Sequence, residues 1–205
     1  MDLAGFTALT EAHGDDEAAD LIDRFVELTV ASLRGDDRLV KTIGDAVMLV
    51  SPDPGSGLVL VRRIVDACLG ESRFPAPRAG LHHGPAVERN DDFVGAAVNL
   101  AARVAAQATE GTAVVTEHVA REAQRLGMAT IALGARRLRN VSQNVELWAI
   151  ELRDAPVATV VDPVCRMQIR GDQVIGHVRW EEREFVFCSL KCLGAFADAP
   201  ERYVL

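Results

Sequence analysis

Residues able to do chemistry fall into two groups at opposite ends of this sequence. The first lies in four short motifs. They are Met1-Asp2-Leu3-Ala4-Gly5-Phe6-Thr7, Lys41-Thr42-Ile43-Gly44-Asp45, the stretch from Asp92 through Asn99 to Arg103, and Leu138-Arg139-Asn140-Val141. Carboxylates such as Asp2, Asp45 and Asp92 suit hard divalent cations or hydrogen-bond donors. Asn99 and Arg103 are four residues apart and share one face of a helix. Lys41 is one of only two lysines, with Lys191, in a chain that otherwise uses arginine. The second group is Cys165, Cys188 and Cys192, the last two spaced C-x-x-x-C. In a reducing compartment such a cluster is more often metal-binding or redox-active than disulfide-bonded. Three thiolates suit Zn²⁺ or Cu⁺. Each position also has a plain reading. Asp45 and Asp92 fit turns or caps, Lys41 a surface lysine, Asn99 and Arg103 a solvated helix face, and Asp2 a frayed terminus. The three cysteines fit buried, inert thiols, and Cys68, on an apolar helix face, reads as core.

The elements that must position these residues are visible in the hydrophobic pattern. Residues 7–33 contain an amphipathic helix with Leu21, Ile22, Phe25, Val26, Thr29 and Leu33 at helical spacing, capped by Asp15 or Asp16. Residues 38–41 and 46–50 read as a hairpin turned at Gly44-Asp45. A Pro/Gly loop at 52–57 leads to a helix over 58–69. Residues 78–82 and 86–88 read as a second hairpin, turned near His83-Gly84-Pro85. An Ala-rich helix covers 95–108, followed by a strand at 113–115, a helix at 118–126, and closing strands at 129–133 and 145–151. Periodic structure stops at 152–159, and from Val160 the chain turns cysteine- and aromatic-bearing. This tail reads as a separate small domain of 160–205. A domain so short buries little core and gains from a metal staple.

The 205 residues are 49% hydrophobic and 25% charged, which fits a globular chain of one or two domains. The net charge of -8 argues against a nucleic-acid partner. No apolar run approaches the roughly 20 residues of a membrane span. The acidic start lacks signal-peptide chemistry, so the expected compartment is the cytoplasm.

Taken together and in order, the D-x-x-G-F-T start, the K-T-I-G-D hairpin and the D-F-x-G-x-x-V-N-x-A-A-R helix entry resemble the catalytic domain of class III adenylate and guanylate cyclases, over residues 1–151. The resemblance implies an α+β fold, a ferredoxin-like sandwich with a βαββαβ core. It implies conversion of ATP to cyclic AMP and pyrophosphate by attack of the ribose 3′-hydroxyl on the α-phosphorus. Asp2, Asp45 and the backbone carbonyl of Leu3 would hold two Mg²⁺ or Mn²⁺ ions per active site. Phe6 and Thr7, entering a helix, would receive phosphate oxygens. Lys41 would donate to adenine N1 and Asp92 accept from the 6-amino group. In guanylate cyclases the lysine position is typically glutamate, so Lys41 favours ATP. Asn99 would orient the ribose, Arg103 stabilise phosphate charge, and Arg139 contact the terminal phosphates. In the family the metal carboxylates and the base, ribose and phosphate residues of one site come from two subunits. One copy of each here implies a head-to-tail homodimer. The family also carries a hydrophobic strand ahead of its first metal aspartate, where only Met1 precedes Asp2. That strand is expected to be cut short and Asp2 to be loosely held.

The tail resembles the YHS domain through Asp162-Pro163-Val164-Cys165, Phe187-Cys188-Ser189-x-x-Cys192, Phe196, Pro200 and Tyr203. The resemblance implies a small metal-binding module with Cys165, Cys188 and Cys192 as Zn or Cu ligands. His177 is one choice of fourth ligand, a surface histidine being the plainer reading. Metal or redox state at the tail would then adjust cyclase output. Two alternatives stay open: a nucleotide sensor without turnover, and a metal-handling protein that uses the cyclase fold to dimerise.

Overall fold

The computed structural model describes residues 1–152 and 159–204. Most of the expected linker therefore lies outside the described residues. In chain order the first part runs β1 (Asp2–Leu3), α1 (Phe6–His13), α2 (Asp15–Ser32), β2 (Arg38–Ile43), β3 (Ala46–Val50), α3 (Pro54–Gly70), β4 (Phe74–Pro75), β5 (Pro77–Leu81), β6 (Val87–Arg89) and β7 (Asp92–Val94). It continues with α4 (Ala96–Ala105), β8 (Thr112–Thr116), α5 (Glu117–Arg125), β9 (Thr130–Arg136) and β10 (Val145–Glu151). The tail adds β11 (Thr159–Val161), β12 (Met167–Arg170), β13 (Gly176–Trp180), β14 (Arg183–Phe187) and α6 (Leu190–Asp198).

Seven strands form one sheet in the order β2-β3-β1-β5-β8-β10-β9. Its first four strands, with α1, α2 and α3 as crossovers, make the expected βαββαβ core. β1 pairs antiparallel with both β3 and β5, so the shortest strand of this sheet is also a central one. Asp2 lies opposite Ala46 on one side and Arg78 on the other. The amino group of Met1 donates to the Val47 carbonyl at 3.1 Å, and the Val47 N–H returns a bond to the Met1 carbonyl at 2.8 Å. Asp2 is therefore held between two partners, not frayed as the sequence led us to expect.

Two other expectations change. The amphipathic helix expected within 7–33 is α2, which Gly14, at φ 98°, ψ 170°, a backbone state that L side chains avoid, separates from α1. Asp15 and Asp16 consequently lie in the first turn of α2, where acidic side chains favour the helix dipole, and neither caps it. The hairpin expected between 78–82 and 86–88 does not form. β5 is occupied on both edges, antiparallel by β1 and parallel by β8, while β6 pairs with β7.

Helices α3 and α5 cover one stretch of sheet, burying Leu58, Val65, Val115, Val119 and Ile150. Phe25, Leu28, Leu60 and Ile64 close a second cluster around Leu3 and Val47. The tail folds against the first part. β12 lies between β11 and β4, with Met167 opposite Pro75. Leu9 of α1 and Ala18 of α2 share a core with Val164, Met167, Phe187 and Phe196. Arg166 clamps Glu110 with two bonds of 2.9 and 3.0 Å. Arg170 donates to the Gly70 carbonyl at 3.0 Å, and Gln173 to Ser72 Oγ at 2.8 Å.

Candidate functional site

The sheet centre brings the first two carboxylates to one neighbourhood. Asp2 faces Ala46 across the β1–β3 pairing, and Asp45 is the residue just before Ala46 at the β2–β3 turn. Burial holds the Asp45 carboxyl above the usual carboxylate range, and the negative charge of Asp2 adds to the rise. Two half-buried carboxylates that repel one another are the hard-oxygen donor set expected of a divalent-cation site. Arg78, on β5, donates to Asp2 Oδ1 and lies close enough to Asp45 to offset part of that repulsion. The sequence offered Arg78 only as a strand residue; its role depends on β5 lying beside β1. Leu3 follows Asp2 on the strand with its side chain 1% exposed, anchoring the site in the core. Phe6 and Thr7 open α1, where the first amides have no acceptor within the helix.

The third carboxylate is already paired with the lysine. Lys41 Nζ, on β2, donates to Asp92 Oδ2, at the start of β7, at 2.6 Å. The Phe93 N–H donates to Asp92 Oδ1 at 2.8 Å and fixes the carboxylate's orientation. The Lys41 bond, with that amide, holds the Asp92 carboxyl below its ordinary range. Residues 51 apart in sequence thus present a donor and an acceptor side by side.

Asn99 and Arg103 share the exposed side of α4, while Val104 points inward with 0% exposure. The helix lies on β5 because Gly80 has no side chain: a Cβ there would stand 2.1 Å from the Ala105 amide nitrogen. Arg139 follows the buried Leu138 in the β9–β10 connection and is exposed. Among the described residues neither Arg103 nor Arg139 has an ion-pair partner.

The three cysteines converge, each buried and unbridged. Cys165 sits in the turn between β11 and β12, Cys188 directly after β14, and Cys192 in the first turn of α6. Asp162, 0% exposed, is their anchor. It accepts from the amides of Val164 at 2.8 Å, Cys165 at 3.4 Å and Cys188 at 2.8 Å. Ser189 caps α6 by accepting from the Cys192 amide at 3.1 Å. Hydrogen bonds from Cys165 and Cys188 hold the Cys192 thiol down to about 4, and contacts with Cys188 first and Cys192 second push Cys165 up. The cluster therefore favours negative charge on one sulfur. Cys68 is elsewhere, 3% exposed in the core, where burial pushes its thiol up to about 12. His177 is not near the cysteines: it pairs with Glu184 across the exposed β13–β14 hairpin at 3.0 Å. The histidine beside them is His13, the last residue of α1, which no local sequence signal linked to cysteines more than 150 residues away.

Residues 160–205 match the YHS domain family. The chain is 39% identical over 156 residues to a pH-sensitive adenylate cyclase of Mycobacterium tuberculosis, a match covering 73% of this chain and 38% of the relative. It is 35% identical over 130 residues to an adenylate cyclase of Streptomyces griseus, covering 62% of this chain and 32% of that one. The chain thus spans well under half the length of these curated relatives. In structure it resembles an adenylate cyclase from Trypanosoma brucei in its monomeric state. The TM-score is 0.63 at 21% identity, over 73% of this chain and 86% of that one. With the βαββαβ core, these likenesses give the first part of the chain the fold of the adenylate cyclases it resembles, followed by a segment similar to the YHS domain.

Proposed function

We propose that this chain is an adenylate cyclase that converts ATP to cyclic AMP and pyrophosphate, working as a head-to-tail homodimer with two composite sites. The observation that carries the reading is the Lys41–Asp92 pair, assembled at 2.6 Å on the edge of the catalytic fold. A cationic donor beside an anionic acceptor complements adenine, whose N1 accepts and whose 6-amino group donates; guanine has the reverse arrangement. The relatives named adenylate cyclase support the same choice.

Asp2, Asp45 and the Leu3 carbonyl would hold Mg²⁺ or Mn²⁺. When bound, such ions neutralise phosphate charge and stabilise the entering and leaving oxygens. The chain's own residues do the rest. The first-turn amides at Phe6 and Thr7 donate to phosphate oxygens at a helix N-terminus. Asn99 orients the ribose so that its 3′-hydroxyl lies in line with the α-phosphorus. Arg103 stabilises the charge that develops on the transferred phosphorus, and Arg139 holds the terminal phosphates. Arg103, Arg139 and Asn99 are exposed in the single chain, as groups completing a partner's site would be. Ile43 adds exposed apolar surface beside the Gly44-Asp45 turn.

The test is production of cyclic nucleotide from ATP and from GTP with Mn²⁺, on the purified chain. Cyclic AMP formed well ahead of cyclic GMP supports the reading. Nucleotide binding without either product would favour a sensor without turnover, and absence of both would end the proposal.

A further inference from the structure

Four of the six distances among the donors in the cysteine pocket are those of a small tetrahedron. Cys188 Sγ lies 3.5 Å from Cys165 Sγ and 3.8 Å from Cys192 Sγ. His13 Nε2 lies 3.7 Å from Cys188 Sγ and 3.5 Å from Cys192 Sγ. All four ligand atoms fall within 4.8 Å of one another. A tetrahedral zinc ion, with bonds of about 2.3 Å to sulfur and about 2.0 Å to nitrogen, sets sulfur–sulfur edges of about 3.8 Å and sulfur–nitrogen edges of about 3.5 Å. The four distances match those edges to within a few tenths of an ångström. They are far longer than the roughly 2.0 Å of a disulfide.

We propose that Cys165, Cys188, Cys192 and His13 form a closed, four-coordinate zinc site whose histidine is supplied by the first helix of the cyclase fold, not by the YHS domain. The surroundings complete it. Glu17, one turn further along the chain, places Oε2 3.2 Å from His13 Nδ1. A carboxylate on Nδ1 keeps the proton there and leaves the Nε2 lone pair facing the sulfurs. Zinc with three thiolates and a neutral imidazole carries one negative charge. Arg73 supplies the opposite charge, with Nη2 4.0 Å from Cys188 Sγ and 3.9 Å from Glu17 Oε1. Asp162 fixes the backbone of two of the three cysteines, as the second layer of a metal site does. All three cysteines are 0% exposed, so the ion has no open position for substrate and its role is structural.

The site would fasten the tail to α1, whose first turn begins three residues after Leu3. It stands independently of turnover, because none of its donors belongs to the nucleotide residues.

The experiment uses the full chain. Elemental analysis should find one zinc per chain. Co²⁺ in its place should give the intense visible bands of a tetrahedral ion and thiolate charge-transfer bands. Competition with a chelating dye should show affinity falling at least about 100-fold in His13→Ala and about 10- to 100-fold in Glu17→Gln. His177→Ala should bind as the parent does. His13→Cys, which keeps four donors and guards against a misfolded alanine variant, should bind tightly and shift the Co²⁺ bands toward a four-thiolate spectrum. Unchanged affinity in His13→Ala, or Co²⁺ bands that His13→Cys leaves in place, would overturn the assignment. So would copper in place of zinc, or a Cys165–Cys188 disulfide with no bound metal.

Discussion

The proposed nucleotide site and the cysteine pocket are built on opposite plans. On the first, Asn99, Arg103 and Arg139 are exposed, the two arginines without ion-pair partners among the described residues, and the carboxylates lie on a different stretch of sheet. In the second, four donors from one chain are drawn together under a shared core of Leu9, Ala18, Phe187 and Phe196. A site that must admit ATP and release pyrophosphate has to open. A site that keeps one ion permanently gains by closing. The open one is proposed to need a second chain, whereas the closed one is complete within a single chain.

Perturbing the open side should give the largest effect. Arg103→Ala should lower cyclic AMP formation by at least about 1,000-fold, through loss of a positioned charge. Its melting temperature should stay unchanged, because the side chain is exposed. Mixing it with Asp45→Ala should restore about a quarter of the parent activity, since half of randomly paired dimers carry one intact site. No recovery would break the shared-site half of the contrast.

Stripping the closed side should come next. If zinc is present at about 1,000 times its dissociation constant, a strong chelator removes about 4 kcal/mol of stability. For a chain of this length that is a fall of about 8–16 °C in melting temperature, read by thermal denaturation. A melting curve indifferent to chelator would show that packing alone holds the tail.

Lys41→Glu should lower kcat/KM for ATP by about 10- to 150-fold, the worth of a charged hydrogen bond of about 1.5–3 kcal/mol. It also sets a carboxylate against Asp92. Steady-state rates with ATP and GTP would reveal any compensating gain for guanine. Gly80→Ala should cost about 1–3 kcal/mol, because the new carbon meets backbone and not a movable side chain. Activity should fall with it, since α4 carries Asn99 and Arg103. Urea melts and the cyclase assay together would check both parts.

Local signals were legible and distant ones were not. The Gly44-Asp45 turn and the helix bearing Asn99 and Arg103 both sit where composition and spacing placed them. The failures share a physical cause. The expected 78–88 hairpin lost to β1 and β8, two strands far away in sequence that satisfy both edges of β5. Asp2 gained its support from Ala46 and Arg78, and the cysteines gained His13, through contacts that only the assembled sheet creates.

The two-residue strand β4 has a practical consequence. It lends its edge to β12, while α1 and α2 lend Leu9 and Ala18, 0% and 4% exposed, to the core beneath the tail. Trimming the gene after residue 152 to obtain a minimal enzyme would bare that edge and that apolar floor together. The fragment would be prone to self-association, and a dead preparation of it would report on solubility and say nothing about catalysis.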